Sequence, residues 1–449
     1  MSLPPVFAAS ALYDSLLQAA LRQFFSRATF DSEPTPSLSS DGRLAIEPTR
    51  DPSVLSVRWF GTRHVLHVPS RRPFTEHEAR LARAIGAVLA LRYRAIFDPK
   101  QMLERGDLFR GAIEDRYVGA FLELADHPGA PTARADLVST AIEVLRVAAL
   151  SSYENRPISS GVLLLDGEDD PEHGIAPAPA PVAYNYSQAL TAFKSFYRLC
   201  DGLETLFLVN GSGVVLDIIE VERYARRARL DVPCPRLYRP HALATAGNRN
   251  ISVVLSPSHE IKVFAGGVQA FSFRNARWHL LDVQAKYDMW AEAIGNAPLA
   301  ERIFQMAIDL ADARHGALFV VLRDPAGSLP QLVARSDRLD TARVDPGGLP
   351  TRSQFLHMLR GRTATGLDPA VLAGLARMDG ATVVDQTGRL LAVGAILLHT
   401  EPPEPHSNLA VEGARTTAAM AAARFGAVLK VSEDGLITFY DRQEHLWDI

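Results

Sequence analysis

The chain predicts an α/β protein of the α+β kind, ending in a mixed sheet flanked by helices and beginning with α+β regulatory domains. Three observations carry that expectation. Between Leu203 and Asp282, short β-branched and aromatic runs follow one another with turn residues between them, as in an antiparallel sheet. The first hundred residues combine a strand hairpin with a long run of helical periodicity. From about Asn296 onward, strand-like runs are separated by helical ones, and the last two runs, AVLKVS and LITFYD, are strands again.

At 449 residues the chain is too long for one core, and composition shifts suggest three blocks: 1–99, 100–290 and 291–449. In the first, an amphipathic helix over Ala11–Phe25 leads into a Ser/Pro-rich loop, Ser32–Ser40, and then the hairpin SVLSVRWFG/HVLHV. A long helix follows. Thr75 with Glu78 three residues on is a capping box that sets its start, and Leu81, Ile85, Val88, Leu89 and Tyr93 make one buried face. The second block opens with helices over Gln101–Leu124 and Ala135–Leu150. GEDDPEHGIAPAPAPV then reads as an extended, exposed segment. LETLFLV and VVLDIIEV form a hairpin about the turn Asn210–Gly213. A phosphate loop needs a helix behind its glycines, and a strand follows NGSG instead. Trp278 and His279 are expected to pack within this β-rich region.

In the third block, Leu299, Ile303, Met306 and Leu310 share one helical face, and GALFVVL is a wholly apolar strand covered on both sides. ARMDGATVVDQTGRLLAVGAILLH is a hairpin whose first strand is preceded by an acid and a bare backbone, Asp379 and Gly380. EGARTTAAMAAARF is a helix, and SEDG a turn between the final strands.

Composition excludes some classes of function. A net charge of −4 gives no reason to expect nucleic acid or an anionic membrane. From Trp290 onward, 15 Lys and Arg stand against 19 Asp and Glu, so this block is not a basic platform. No run approaches the ~18–20 apolar residues of a membrane span, and the N-terminus lacks the basic start of a signal peptide. Two cysteines, Cys200 and Cys234, have no metal-like spacing and read as unlinked thiols of a cytoplasmic protein.

Three short stretches carry candidate chemistry. Asp379 beside Gly380 reads either as an ordinary turn or as a carboxylate presented to a ligand that the backbone can approach. Gly413 precedes a helix whose first turn bears Arg415, Thr416 and Thr417, which is either a plain helix start or a phosphate site of N–H groups, guanidinium and hydroxyls. Ser432 and Glu433 follow a strand, and Glu433 could share a hard divalent cation with Asp379. Elsewhere, Arg223, Arg226, Arg227, Arg229, Arg236 and Arg239 crowd together and read as a salt-bridged face or an anion pocket. His64, His67 and His77 lack partners at metal-ligand spacing.

GALFVVL, MDGA, EGAR and VSEDG-LITFY, in that order and spacing, resemble the nucleotide-cyclising domain of the DisA-N family, the diadenylate cyclases; the likeness spans roughly Asn296 to Arg442. The line HVPSRRPFTEHEARLARAIGAVLALRYR resembles the end of a GAF-type small-molecule sensing domain. The first resemblance implies a mixed sheet flanked by helices that binds one ATP per domain, with Mg²⁺ or Mn²⁺. Two such domains self-associate face to face and make the second messenger cyclic di-AMP. Asp379 would hold the metal and help activate the attacking hydroxyl, with Glu433 as second ligand. Gly380, Ala381, Gly413, Thr416, Thr417 and Ser432 would line the nucleotide, and Arg415 would bind phosphate. The family motif Gly-Thr-Arg-His-Arg reads Gly413-Ala414-Arg415-Thr416-Thr417 here, keeping the glycine and first arginine. The preceding residues would then answer to an unidentified ligand or partner. The alternative is a catalytically silent nucleotide receptor.

Overall fold

The computed structural model describes residues 5–25, 27–35, 44–68, 72–124, 133–153, 155–168, 170, 175, 183–187, 196, 199–225, 229–341, 352–398 and 413–449. Most of the Pro/Ala-rich stretch, part of the Ser/Pro-rich loop, Arg226, Arg227 and Glu412 fall outside them. The chain forms two compact units, residues 1–230 with 237–282, and 231–236 with 283–449.

The first unit is built on two larger sheets, with a two-stranded ribbon, Ser152–Tyr153 with Arg156–Pro157, beside them in the chain. One is wholly antiparallel, in the order Thr29–Pro34, Thr62–His67, Val54–Trp59, Ala45–Glu47. Against it lies the helix Glu76–Phe97, whose capping box forms as expected: the Thr75 hydroxyl accepts from the Glu78 N–H at 3.0 Å, and Glu78 accepts from the Thr75 N–H at 3.0 Å. Leu81, Ile85, Val88 and Leu89 are buried, in one core with Leu17, Trp59 and Leu66. The helix ends at Phe97. The single helix expected over Gln101–Leu124 is three pieces: Pro99–Glu104, a 3-10 turn Gly106–Phe109, and Ile113–Leu124. Gly111 takes a left-handed φ of +66° at the second break, where helix cannot continue.

The other sheet has seven strands, in the order Arg277–Leu280, Val268–Arg274, Ile261–Ala265, Ile251–Leu255, Ser160–Leu164, Thr205–Val209, Val215–Glu220. Only the Ser160–Leu164/Thr205–Val209 pair is parallel. NGSG is a turn, with the Asn210 side chain accepting from the Val214 N–H at 2.8 Å and Gly213 at φ +86°. Trp278 is buried and its indole N–H donates to Asp115 at 2.7 Å. His241 is fully buried, its Nε2 bonded to the Gly202 carbonyl at 3.0 Å, and burial pushes its pKa down to about 4.

The second unit holds a six-stranded mixed sheet in the order Leu390–Ala395, Ala381–Asp385, Ala317–Leu322, Gly426–Val431, Ile437–Asp441, Glu444–Asp448. Ala317–Leu322 runs parallel to Ala381–Asp385 and every other pairing is antiparallel. Ala317–Leu322 is buried throughout, as its unbroken apolar sequence requires. The helix Ala297–Asp312, capped by the Asn296 side chain on the Leu299 N–H, buries Leu299, Ile303, Phe304 and Leu310. Phe304 contacts Trp447, which packs with Phe439 and, through it, Trp290. A separate apolar cluster joins Leu318, Val320, Val383 and Val428 to Ala419 and Ala422 of the helix Ala414–Ala422. This is the mixed, helix-flanked architecture that the sequence predicts.

Candidate functional site

Three neighbouring strands bring their ends to one edge of this sheet. Phe319 stands opposite Thr382 in the parallel pair, and Ala317 opposite Val431 in the antiparallel one. Asp379 and Gly380 before one strand, Gly316 before the middle strand, and Ser432 and Glu433 after the third therefore share that edge. Adjacent strands lie roughly 5 Å apart.

Gly380 is a glycine for a backbone reason. Its φ is +107°, and a Cβ there would lie 2.6 Å from the Ala395 carbonyl oxygen and 2.6 Å from the Gly394 carbonyl carbon. Gly394 answers it at φ +57°, with its own Cβ position 3.2 Å from the Asp379 carbonyl oxygen. Two bare backbones thus pass each other where the hairpin begins, and Ala381, buried opposite Ala395, is the first paired residue. Asp379 is the exposed member of the turn, and its carboxylate has no ion-pair partner among the described residues.

At the helix start, Gly413 is the N-cap with φ −61°, a conformation open to any residue, and a Cβ on it would meet nothing within 4 Å among the described residues. Its carbonyl accepts from the Thr416 N–H at 2.8 Å and the Thr417 N–H at 3.4 Å. The first N–H groups of any helix lack intrahelical acceptors and carry its positive end. Arg415 Nη1 lies 3.4 Å from Glu433 Oε1, an ion pair joining the helix start to the turn Ser432–Gly435. Ser432 closes that turn through its backbone, donating to the Leu436 carbonyl at 2.8 Å and accepting from the Gly435 N–H at 3.0 Å. Glu433 stands exposed at its tip. Thr417 is half-buried on the helix.

No family model matches the chain, and no curated protein matches it. Among solved structures, it is similar to a double mutant of DacA from Staphylococcus aureus, at 18% identity over 34% of this chain and 86% of that one, with a TM-score of 0.23. It is also similar to a hypothetical membrane spanning protein from Bacillus cereus, at 20% identity over 33% of this chain and 61% of that one, again with a TM-score of 0.23. These scores are too low to carry an argument, so the functional reading rests on the residues of this chain.

Two further residues belong to the site. Gly316 makes room for Arg415: a Cβ on it would run into the guanidinium, with Cζ at 2.7 Å. Lys430, inside the strand Gly426–Val431 and only 8% exposed, donates from Nζ to the Thr416 hydroxyl at 3.0 Å. A lysine in the otherwise apolar run GAVLKV was the available signal for the second; nothing local marks the first. Asp379 and Glu433 extend from the two strands that flank the Gly316 strand. Among the described residues, no group of three or more His, Cys, Asp or Glu is placed to hold a metal. Two exposed carboxylates without His or Cys suit a hard cation that arrives with its phosphates, rather than one caged by protein.

Arg223 and Arg236 of the arginine-rich stretch, and the three histidines, are each paired with a carboxylate. Arg223 pairs with Glu220 at 3.0 Å, and Arg236 with Asp309 at 3.1 Å. His64, wholly buried, bonds Asp14 at 2.8 Å and the Ser32 hydroxyl at 3.0 Å. His67 lies 3.7 Å from Asp31, and His77 is 2.6 Å from Asp282. Each histidine thus has its own carboxylate. Neither cysteine is in a disulfide, and burial pushes the Cys200 thiol up to about 12. No described helix is long and apolar enough to cross a membrane.

Proposed function

We propose that the second unit is a nucleotidyltransferase of the diadenylate cyclase type, which joins two ATP into cyclic di-AMP across a face-to-face pair of units. In each half-reaction, a 3′-hydroxyl oxygen bonds the α-phosphorus of the facing ATP as the bond to the pyrophosphate oxygen breaks. Two pyrophosphates leave. The observation that carries this reading is Arg415, held over Gly316 beside Glu433 at the sheet edge that also presents Asp379.

Such a transfer depends on in-line positioning and charge neutralisation more than on covalent help from the protein. Arg415 and the N–H groups after Gly413 would bind phosphate. Gly413, with nothing near its Cβ position among the described residues, would let a nucleotide approach closely. Asp379 would orient the attacking hydroxyl. Mg²⁺ or Mn²⁺, held by Asp379, Glu433 and phosphate oxygens, would neutralise phosphate charge and acidify that hydroxyl. The first unit would regulate how two cyclising units meet, in answer to a ligand or partner. A nucleotide receptor without catalysis is the second reading, favoured by Thr416 and Thr417, which are neutral donors where the family motif has His and Arg.

The test is incubation of the purified protein with ATP and Mg²⁺ or Mn²⁺, with products identified by mass spectrometry beside Asp379→Asn. Cyclic di-AMP from the wild type alone supports the cyclase. Asp379-dependent ATP binding without product supports the receptor, and absence of both product and binding overturns the site.

A further inference from the structure

The helix Ala297–Asp312 closes as helices commonly close on a glycine, but it has none there. The Arg314 N–H donates to the Ala311 carbonyl at 3.1 Å and the His315 N–H to the Leu310 carbonyl at 2.9 Å. This is a Schellman motif, and Arg314 occupies its left-handed position at φ +57°. Glycine or asparagine is favoured at such a position because a longer side chain crowds the backbone. An arginine here therefore carries strain that a glycine would not, and its side chain has a use. Its Nη1 donates to the Asp434 carbonyl, in the turn Ser432–Gly435. The two segments lie close: Gly435 has φ +84°, and a Cβ on it would lie 2.8 Å from Arg314 Nη1 and 3.2 Å from the Ala311 carbonyl oxygen.

That turn carries Glu433. Its side chain is 74% exposed, so packing does not fix the carboxylate, and its position follows the backbone of the turn. Arg314 meets that backbone from the helix end, while Arg415 meets the carboxylate at 3.4 Å. Two residues after Arg314, Gly316 makes room for the Arg415 guanidinium. The three-residue connection from helix to strand, Arg314 to Gly316, thus touches both halves of the ion pair, one through the turn and one directly.

We propose that Arg314 is a positioning residue of this site, which holds the Ser432–Gly435 turn by the Asp434 carbonyl and so fixes where Glu433 meets a divalent cation. The proposal rests on the nucleotide reading. In it Arg314 touches neither nucleotide nor ion and acts only through the turn. Groups that orient a metal ligand typically carry about 10–100-fold in metal affinity. The lower end applies here, because phosphate oxygens would supply much of the coordination.

Calorimetric titration of the full chain with ATP, with and without Mn²⁺, tests this in the wild type, Arg314→Gly, Arg314→Asn, Arg314→Lys and Glu433→Gln. Glycine and asparagine suit the left-handed position, so both variants are expected to fold, and a thermal melt reports it. Both should bind ATP without metal much as the wild type does, and bind it roughly tenfold more weakly in Mn²⁺, with most of the loss regained in Arg314→Lys. Arg314→Asn added to Glu433→Gln should cost little beyond Glu433→Gln alone, since the two act through one group. In the unliganded protein, amide hydrogen exchange at Ser432–Leu436 should quicken in the Gly and Asn variants. A full Mn²⁺ effect in both variants overturns the role of Arg314 and leaves the nucleotide reading intact; so do additive losses in the double variant. Unfolding of both variants would make Arg314 a residue of the fold and overturn the proposal as well. A folded wild type that binds no ATP, or binds it no better in Mn²⁺, overturns the metal–nucleotide reading itself.

Discussion

Gly316→Ala separates packing from function at the sheet edge. The substitution strains no backbone, because Gly316 lies outside the left-handed region. The new Cβ meets only the far end of a flexible side chain, with Arg415 Cζ at 2.7 Å and Nη2 at 3.1 Å, where ordinary contact begins at 3.4 Å. Nη1, the atom that pairs with Glu433, would lie closest of all, so the guanidinium withdraws by more than an ångström and loosens its 3.4 Å contact with Glu433. That ion pair is well exposed and contributes about 0–1 kcal/mol. Gly→Ala at a compatible position returns about 0.4–1 kcal/mol by stiffening the unfolded chain. Unfolding free energy should therefore change by less than about 1 kcal/mol. ATP binding should not escape so lightly, since a charged hydrogen bond of about 1.5–3 kcal/mol is misplaced rather than deleted, and a loss of roughly tenfold is expected. Urea unfolding and calorimetric titration of the same preparation measure both. A destabilisation above about 2 kcal/mol would mean that Gly316 serves the backbone; full stability with unchanged ATP binding would mean that Arg415 does not touch the ligand.

Gly380→Ala should do the opposite. Its φ of +107° and the 2.6 Å approach to backbone at Gly394 and Ala395 leave nothing that can yield, so a cost of about 2–4 kcal/mol in urea unfolding is expected. Acid stability should report His241. Its folded pKa of about 4 lies below the ordinary 6.5, so between those values the unfolded chain binds a proton that the folded chain refuses. Stability is therefore lost as pH falls from about 6.5 to about 4, by an amount on the order of 3 kcal/mol. In His241→Leu, urea unfolding should show a shallower fall over that window; an unchanged slope would exclude His241 as its source.

What the sequence reveals is what is local. The Thr75–Glu78 cap, the NGSG turn and the Asp385–Arg389 turn each announce themselves within a few residues, because the groups that bond are neighbours in the chain. The apolar run GALFVVL foretells a covered strand, but not that it runs parallel to Ala381–Asp385, and that direction is what brings Gly316 to the same edge as Asp379. The reason for Gly380 lies fourteen residues on, at Gly394, and neither glycine explains itself alone. His64 and His77 seem partnerless in sequence because Asp14 and Asp282 are supplied by distant segments. Lys430 carries no local signal of its partner for the same cause: Thr416 reaches it only when helix and strand pack.

The pairing of Arg415 with Glu433 makes the site its own counter-ion. A bare nucleotide that claims the guanidinium strands a carboxylate beside its own negative charges, and a bare metal ion that claims Glu433 strands the arginine beside a cation. A ligand that brings both charges performs a double exchange: phosphate takes Arg415, the ion takes Glu433, and no charge is left over. In the proposed reading, then, the ion pair would tilt binding toward the preformed metal–nucleotide complex over either component alone, by no more than the ~1 kcal/mol that so exposed a pair carries.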